Sequence, residues 1–307
     1  MKKWAKILWE AAKAWKADNA FKHAASVSFY TLFSLAPITI ITVSVAGFFL
    51  GKEAATRQFS DQVAQLVGPA SAEMIQKAAD ASQQDTNSGI KTAIGVGLLL
   101  FGATTVFAQL QDSFNKIWGV RAKPSKRGWI LLVLHRLVSL AMVFTVGFLL
   151  LVSLVLTTLL TSFLTRFGSG FNSPLLLQAA NIVIGLGVIT VLFAMLFKVM
   201  PDVRLRWRDV WTGALVTALL FTVGRQLIAL YLSRSTVASI YGTAGSLVAL
   251  LIWVYYSCAI LFYGAEFTRA YRIADGLSVE PKDTAVQVRE EIVRTTNKRG
   301  PARVDKT

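Results

Sequence analysis

The 307 residues are 54% hydrophobic and only 16% charged, with a mean hydropathy of +0.53, far more apolar than a soluble globular domain requires. The formal net charge of +15 excludes an acidic surface and raises the question of where the 32 Lys and Arg residues lie. The one cysteine, Cys258, excludes an intrachain disulfide and a cysteine metal cluster, and reads as a small packing residue.

Residues 1–23 form the first predicted element. Trp4, Ile7, Leu8, Ala11, Ala12 and Trp15 recur at three- and four-residue steps among lysines, which predicts a short amphipathic helix lying in the membrane interface. A solvated basic leader is the plainer alternative. The lysines are spread, and neither a compact apolar stretch nor a small-residue cleavage site follows, so the segment does not read as a signal peptide.

A hydrocarbon core about 30 Å thick needs roughly 20 apolar residues in a helix. Six windows qualify: about 25–50, 90–110, 131–163, 175–198, 209–232 and 243–268. They lack the alternating polar positions of barrel strands, so helices that satisfy their own backbone groups are predicted. The fold class is all-α, a polytopic membrane bundle of six helices over residues 24–270. Between the first two windows, Phe59, Val63, Leu66 and Val67, then Met74, Ile75 and Ala78, predict two short amphipathic helices broken at Gly68-Pro69. Residues 271–307 turn polar and read as a flexible cytoplasmic tail. No internal repeat supports an inverted-repeat transporter architecture.

Cytoplasmic loops of membrane proteins hold an excess of Lys and Arg. Lys2, Lys3, Lys6, Lys13, Lys16 and Lys22 precede the first window. Lys116, Arg121, Lys123, Lys126 and Arg127 follow the second, and Lys198, Arg204, Arg206 and Arg208 surround the fourth-to-fifth connection. The intervening connections dilute three basic residues with five acids in 51–89, or carry Arg166 or Arg234 alone. Both termini are therefore expected in the cytoplasm. Such a face would also hold anionic lipid headgroups. The basic residues are scattered where topology already explains them and no nucleic-acid motif accompanies them, so no nucleic-acid partner is assigned.

Polar residues inside the windows supply the candidate site. His23, Ser26, Tyr30, Ser34 and Pro37 share one face of the first helix, and Pro37 removes a backbone donor, so a bent wall of a cavity is one reading and hydroxyl-mediated helix packing the other. Gln109 and Asp112 share a face of the second with Gly95, Gly102 and Thr105, and Asp112 is within helical reach of Lys116. Arg225 lies about 11–13 Å in from the far end of the fifth, beyond comfortable snorkelling, and needs an acid, carbonyls or water. Arg204, Arg206 and Arg208 alternate around Trp207, a pattern suited to lipid-headgroup contact or to plain positive-inside anchoring. Glu266 follows the 31-residue charge-free run 235–265, about 46 Å if helical. Counting about 20 residues from Gly245 puts it at the cytoplasmic boundary, paired with Arg269 and too far from Arg225 to be its partner.

Catalysis has little to work with. His23 and His135 are the only histidines and belong to different spans, the first and the third, and nucleophile-elbow, phosphate-loop and dinucleotide fingerprints are absent. No metal, cofactor or enzyme activity is assigned.

Four blocks in order, AASVSFYTLFSLAP (24–37), FNKIW (114–118), MPDVRLRWRDVWTGAL (200–215) and YGTAGSLVALLIWVYYSCAILFYGAEFTRAY (241–271), resemble the YihY/BrkB family of bacterial inner-membrane proteins. The resemblance covers about 15–272 and implies six spans with both termini inside. Members have been labelled ribonuclease BN, a tRNA-processing activity that the missing metal-ligand motifs of this chain oppose, and a role in moving lipids or lipid-like envelope precursors has been suspected. The leading expectation is a transporter or flippase-like protein for an amphipathic anionic substrate. A non-transporting envelope scaffold is the alternative and ribonuclease a third reading, with homo-oligomerisation left open.

Overall fold

The computed structural model describes residues 2–67, 89–123, 174–234 and 245–288, with 72–73, 76–77 and 141. Its helices are α1 (Lys2–Ala17), α2 (Ala20–Leu50), α3 (Lys52–Val67), α4 (Gly89–Ile117), α5 (Pro174–Val199), α6 (Trp207–Arg234) and α7 (Gly245–Ala274), and two short strands, β1 (Val120–Ala122) and β2 (Ala285–Gln287), pair antiparallel. Five of the six apolar windows coincide with α2, α4, α5, α6 and α7. The third, 131–163, lies outside the described residues except Ala141. Stretches of three helices, Ile182–Val199, Trp207–Tyr231 and Leu247–Ala274, are long and apolar enough to cross a membrane. At about 1.5 Å per residue the 30 residues of α7 exceed a hydrocarbon core, so it carries polar residues beyond one face.

α7 is the central element. It packs against α6, α2 and α1, while α5 lies on α6 and α4 on α2. Aromatic side chains fill the space between: Phe114 meets Phe197 and Phe262 edge-on at 5.9 Å, and Phe221 bridges Phe193 and Trp253. α6 and α7 interlock through two matched pairs. A methyl group built on Gly213 would fall 1.8 Å from the Thr268 hydroxyl, and one built on Gly264 would fall 1.9 Å from that of Thr217. Each threonine hydroxyl donates to a carbonyl one turn back in its own helix, Thr217 to Gly213 and Thr268 to Gly264, both at 2.7 Å. Small residues thus let two backbones meet while the polar groups stay satisfied.

The N-terminal helix is amphipathic, as its spacing predicts, and spends part of its apolar stripe on α7. Ile7 and Ala11 are buried against Phe267, Trp4 stacks on Phe267 and Tyr271, and Trp15 donates to the Ala259 carbonyl at 3.0 Å. Lys3 pairs with Asp275 at 2.8 Å, so α1 runs antiparallel to the second half of α7. The α1–α2 joint is turned by Asn19 in the left-handed region, which asparagine tolerates. Gly51 (φ 83°) makes the corner from α2 into α3, a conformation open to glycine alone without strain. The first predicted outer helix is α3, and the second falls largely outside the described residues.

The expected flexible tail differs from what is observed over its first part. Residues 271–274 complete α7, and 275–288 fold back onto the end of the bundle. Val203 bridges Pro281, the Arg204 amide donates to the Glu280 carbonyl at 2.8 Å, and β2 pairs with β1 in the register Arg121↔Val286. The segment has too little apolar content for a core of its own, but it needs none: Ala285 is buried and Val279 packs on the existing core. Residues 289–307 lie outside the described part.

Candidate functional site

The polar chemistry gathers at the end of the bundle where α4, α5 and α7 finish and α1, α2 and α6 begin. Asp202, in the Pro-Asp turn after α5, is buried and receives Gln111 Nε2 at 3.3 Å and Asn115 Nδ2 at 2.8 Å. Its own amide donates back to Asn115 Oδ1 at 2.8 Å, closing a reciprocal pair. Lys282 reaches the Val199 carbonyl beside it, and burial holds its ammonium below the ordinary range against the opposing pull of Asp202. Arg272, 3% exposed, donates to Asp209 at 3.1 Å and to the Ser278 carbonyl at 3.0 Å. Asp209 stands in the first turn of α6, where the helix dipole also favours a carboxylate.

Glu266 is the most heavily enclosed acid among the described residues. Sequence spacing favours an interfacial acid at the boundary of the span over a buried one; in the structure it is 1% exposed, between the buried Ala265 and Phe267. Arg269 is within ion-pair range, as the three-residue spacing predicts, but at 3.6 Å, and it also reaches Asp18 at 3.4 Å. Among the described residues, neither Glu266 oxygen nor Arg269 Nε has a hydrogen-bond partner. Gly264 admits Thr217 of α6 and Phe267 faces α1, so this turn of α7 is covered on two sides and Glu266 is buried between them.

The remaining predicted residues separate. On α2, His23 Nδ1 lies 3.3 Å from the Ser113 hydroxyl, and Ser34 donates to the Gly102 carbonyl, so both join α2 to α4. Tyr30 is exposed and packs on Phe29, and Ser26 is half-buried. α2 continues as one helix through Pro37. The Gln109 carbonyl accepts the Ser113 hydroxyl at 2.9 Å, whereas Asp112 is exposed, without an ion pair to a described residue. Arg204 donates to both oxygens of Asp283 at 2.7 Å. Arg206 and Arg208 are exposed, and Trp207 carries the Lys198 ammonium 5.5 Å above its ring. Arg225, half-buried on α6, has no hydrogen bond or ion pair with any described residue.

Gln111, Asn115, Asp202, Asp209 and Arg272 carry the buried network and were not singled out from sequence. The signal available was the four-residue step from Gln111 to Asn115, which puts two amides on one face at the end of a span, and an aspartate at each end of the connection from α5 to α6.

These features define a helical integral membrane protein with a buried polar network at one end. The chain belongs to the family described as Virulence factor BrkB, whose profile matches residues 11–287, in agreement with the four blocks read from the sequence. It is similar to the UPF0761 membrane protein PSHAa0171 of Pseudoalteromonas translucida, 27% identical over 254 residues, 82% of this chain and 81% of the relative. It is likewise similar to the UPF0761 membrane protein of Cronobacter sakazakii, 29% identical over 288 residues, 86% and 87% of the two chains. Some relatives are longer: the match to Nmul_A0452 of Nitrosospira multiformis covers 80% of this chain and 56% of that one. No solved structure matches.

Proposed function

We propose that the protein is a six-span, multi-pass component of the bacterial inner membrane, with both termini cytoplasmic, that moves an amphipathic anionic, lipid-like envelope substrate. Arg225 carries this reading. It is half-buried in a helix apolar enough to cross a bilayer, and among the described residues nothing hydrogen-bonds or neutralises it. A guanidinium at that depth is stable only with a partner, and the headgroup of an anionic amphiphile would serve. The distribution of Lys and Arg supports the orientation, and the exposure of Arg206, Trp207 and Arg208 supports contact with anionic headgroups on the face proposed as cytoplasmic. Stabilising a bound anion needs no nucleophile, so the proposal assigns no enzyme activity.

Lipid transfer in liposomes, measured beside folded yield for wild type, Arg225→Gln and Arg225→Lys, tests it. Transfer should fall at least about tenfold in the glutamine variant, the size of one lost charge-assisted hydrogen bond, and recover in part with lysine. Unchanged transfer by Arg225→Gln, or none by wild type under any gradient or lipid tried, overturns it. A non-transporting scaffold is the second reading, favoured by the Gly-Thr interlocks and the Ser34–Gly102 bond, which use polar residues to join helices. Metal-dependent cleavage of tRNA by protein free of soluble nuclease would instead revive the ribonuclease reading.

A further inference from the structure

Between α1 and the second half of α7 lies a cavity of about 540 Å³ whose inner wall includes Glu266 and whose rim carries Lys3, Lys6 and Glu10. Formal charge divides it in two. Lys3 is matched by Asp275 and Glu10 by Lys13, whereas among the described residues Glu266 and Asp18 have only Arg269 between them, so one acid at the inner wall has no cation of its own. Lys6, exposed at the rim, has no ion pair with a described residue, leaving one positive charge there. The unsatisfied polar atoms have the same polarity: Glu266 oxygens that lack donors, and an Arg269 Nε that lacks an acceptor. Ile7, Ala14, Ala270 and Ile273 make the rest of the wall apolar.

A ligand that satisfies all of this brings N–H donors inward, an anionic oxygen to the rim and apolar atoms along the helices. We infer that the cleft holds the headgroup of a membrane phospholipid with a primary ammonium beside its phosphate, the ammonium on Glu266 and the phosphate on Lys6 and Arg269. A quaternary ammonium has no N–H to give Glu266, and a headgroup without a cation leaves that carboxylate unmatched, so choline and glycerol lipids fit less well. The site is distinct from Arg225 and stands whether or not the bundle moves a substrate.

The full chain is reconstituted in nanodiscs of equal parts phosphatidylethanolamine, phosphatidylcholine and phosphatidylglycerol, re-extracted in mild detergent, and its retained lipid measured by mass spectrometry. The ethanolamine lipid should be retained about tenfold over the choline lipid, the size of one charge-assisted hydrogen bond. Glu266→Gln should bring that ratio near one. Lys6→Gln, an exposed change that spares the fold, should lower retention of all three lipids and leave the ratio alone. A wild-type ratio of one, a preference for phosphatidylglycerol, an undiminished ratio in folded Glu266→Gln or unchanged retention in Lys6→Gln would each overturn the inference, and none of these outcomes bears on the Arg225 transfer assay.

Discussion

Gly264→Ala sets two effects of opposite sign against each other. Helix propensity alone makes the substitution stabilising by about 1 kcal/mol. The new methyl carbon, however, would lie 1.9 Å from Thr217 Oγ1 and 2.8 Å from its Cβ and Cγ2, where carbon contacts settle near 3.5–4.0 Å. Backbone at the crossing must move by about 1 Å, and overpacking of this kind costs about 1–3 kcal/mol. The expected net effect is therefore destabilising or close to neutral. Thr217→Gly alone loses a packed side chain and a few tenths of propensity, about 1–2 kcal/mol together. The double variant removes every clashing atom and moves the small residue from one helix to the other, so it should be more stable than the sum of the singles by about 2 kcal/mol. Unfolding by SDS in mixed micelles, followed by tryptophan fluorescence, reads all four proteins. A clearly stabilised Gly264→Ala, or additivity within about 0.5 kcal/mol, would refute the interlock. The Gly213–Thr268 pair should couple with the same sign.

Arg272→Met strands Asp209 in the interior and should cost about 3–5 kcal/mol in the same assay, while Arg272→Met with Asp209→Leu should recover most of it, since removing both charges also removes both desolvation penalties. Asn115→Ala takes away the reciprocal bonds to Asp202 and should cost about 1–3 kcal/mol. Arg204→Gln, by contrast, touches an exposed pair and should change thermal stability by less than about 1 kcal/mol. The Lys3 ammonium beside Asp275 holds that carboxyl below its usual range. A depressed folded value contributes stability above the unfolded value near pH 4 and loses it as pH falls, so protease protection of α1 should be flat from about pH 5 to 8 and weaken only below about pH 4.

The long helices were legible because each carries its own signal, an apolar run of sufficient length bounded by the Gly51 corner, the Pro-Asp turn or a basic cluster, and α1 and α3 because their apolar residues recur at helical spacing. What was not legible depends on partners far away in the chain. Glu266 follows a charge-free run and precedes two arginines, which locally describes a membrane boundary. Its burial comes from α1, some 250 residues earlier, and from Thr217 opposite Gly264. The same holds for Asp202, read as half of a turn until Gln111 and Asn115 reach it. Residues 275–288 look like solvated tail because their composition cannot sustain a core, yet backbone pairing with 120–122 and 203–204 asks for no composition at all.

Two of the buried acids at this end, Asp209 and Glu266, therefore differ in kind. Asp209 is buried with Arg272 aimed at it and has a helix dipole behind it, a complete arrangement that stabilises the junction of α6 and α7. Glu266 is buried as deeply, but among the described residues its one cation is divided with Asp18 and held at 3.6 Å, and its oxygens receive no hydrogen bond. Leaving a buried acceptor without a donor costs on the order of 1–3 kcal/mol. A purely structural role would be served better by glutamine, which adds two donors of its own. Glu266→Gln should accordingly be at least as stable as wild type in lipid-free detergent, and any advantage of the glutamate should emerge only when a donor-bearing lipid is supplied. Equal destabilisation of Glu266→Gln with and without lipid would make the carboxylate a packing residue and remove the reason for placing a ligand beside it.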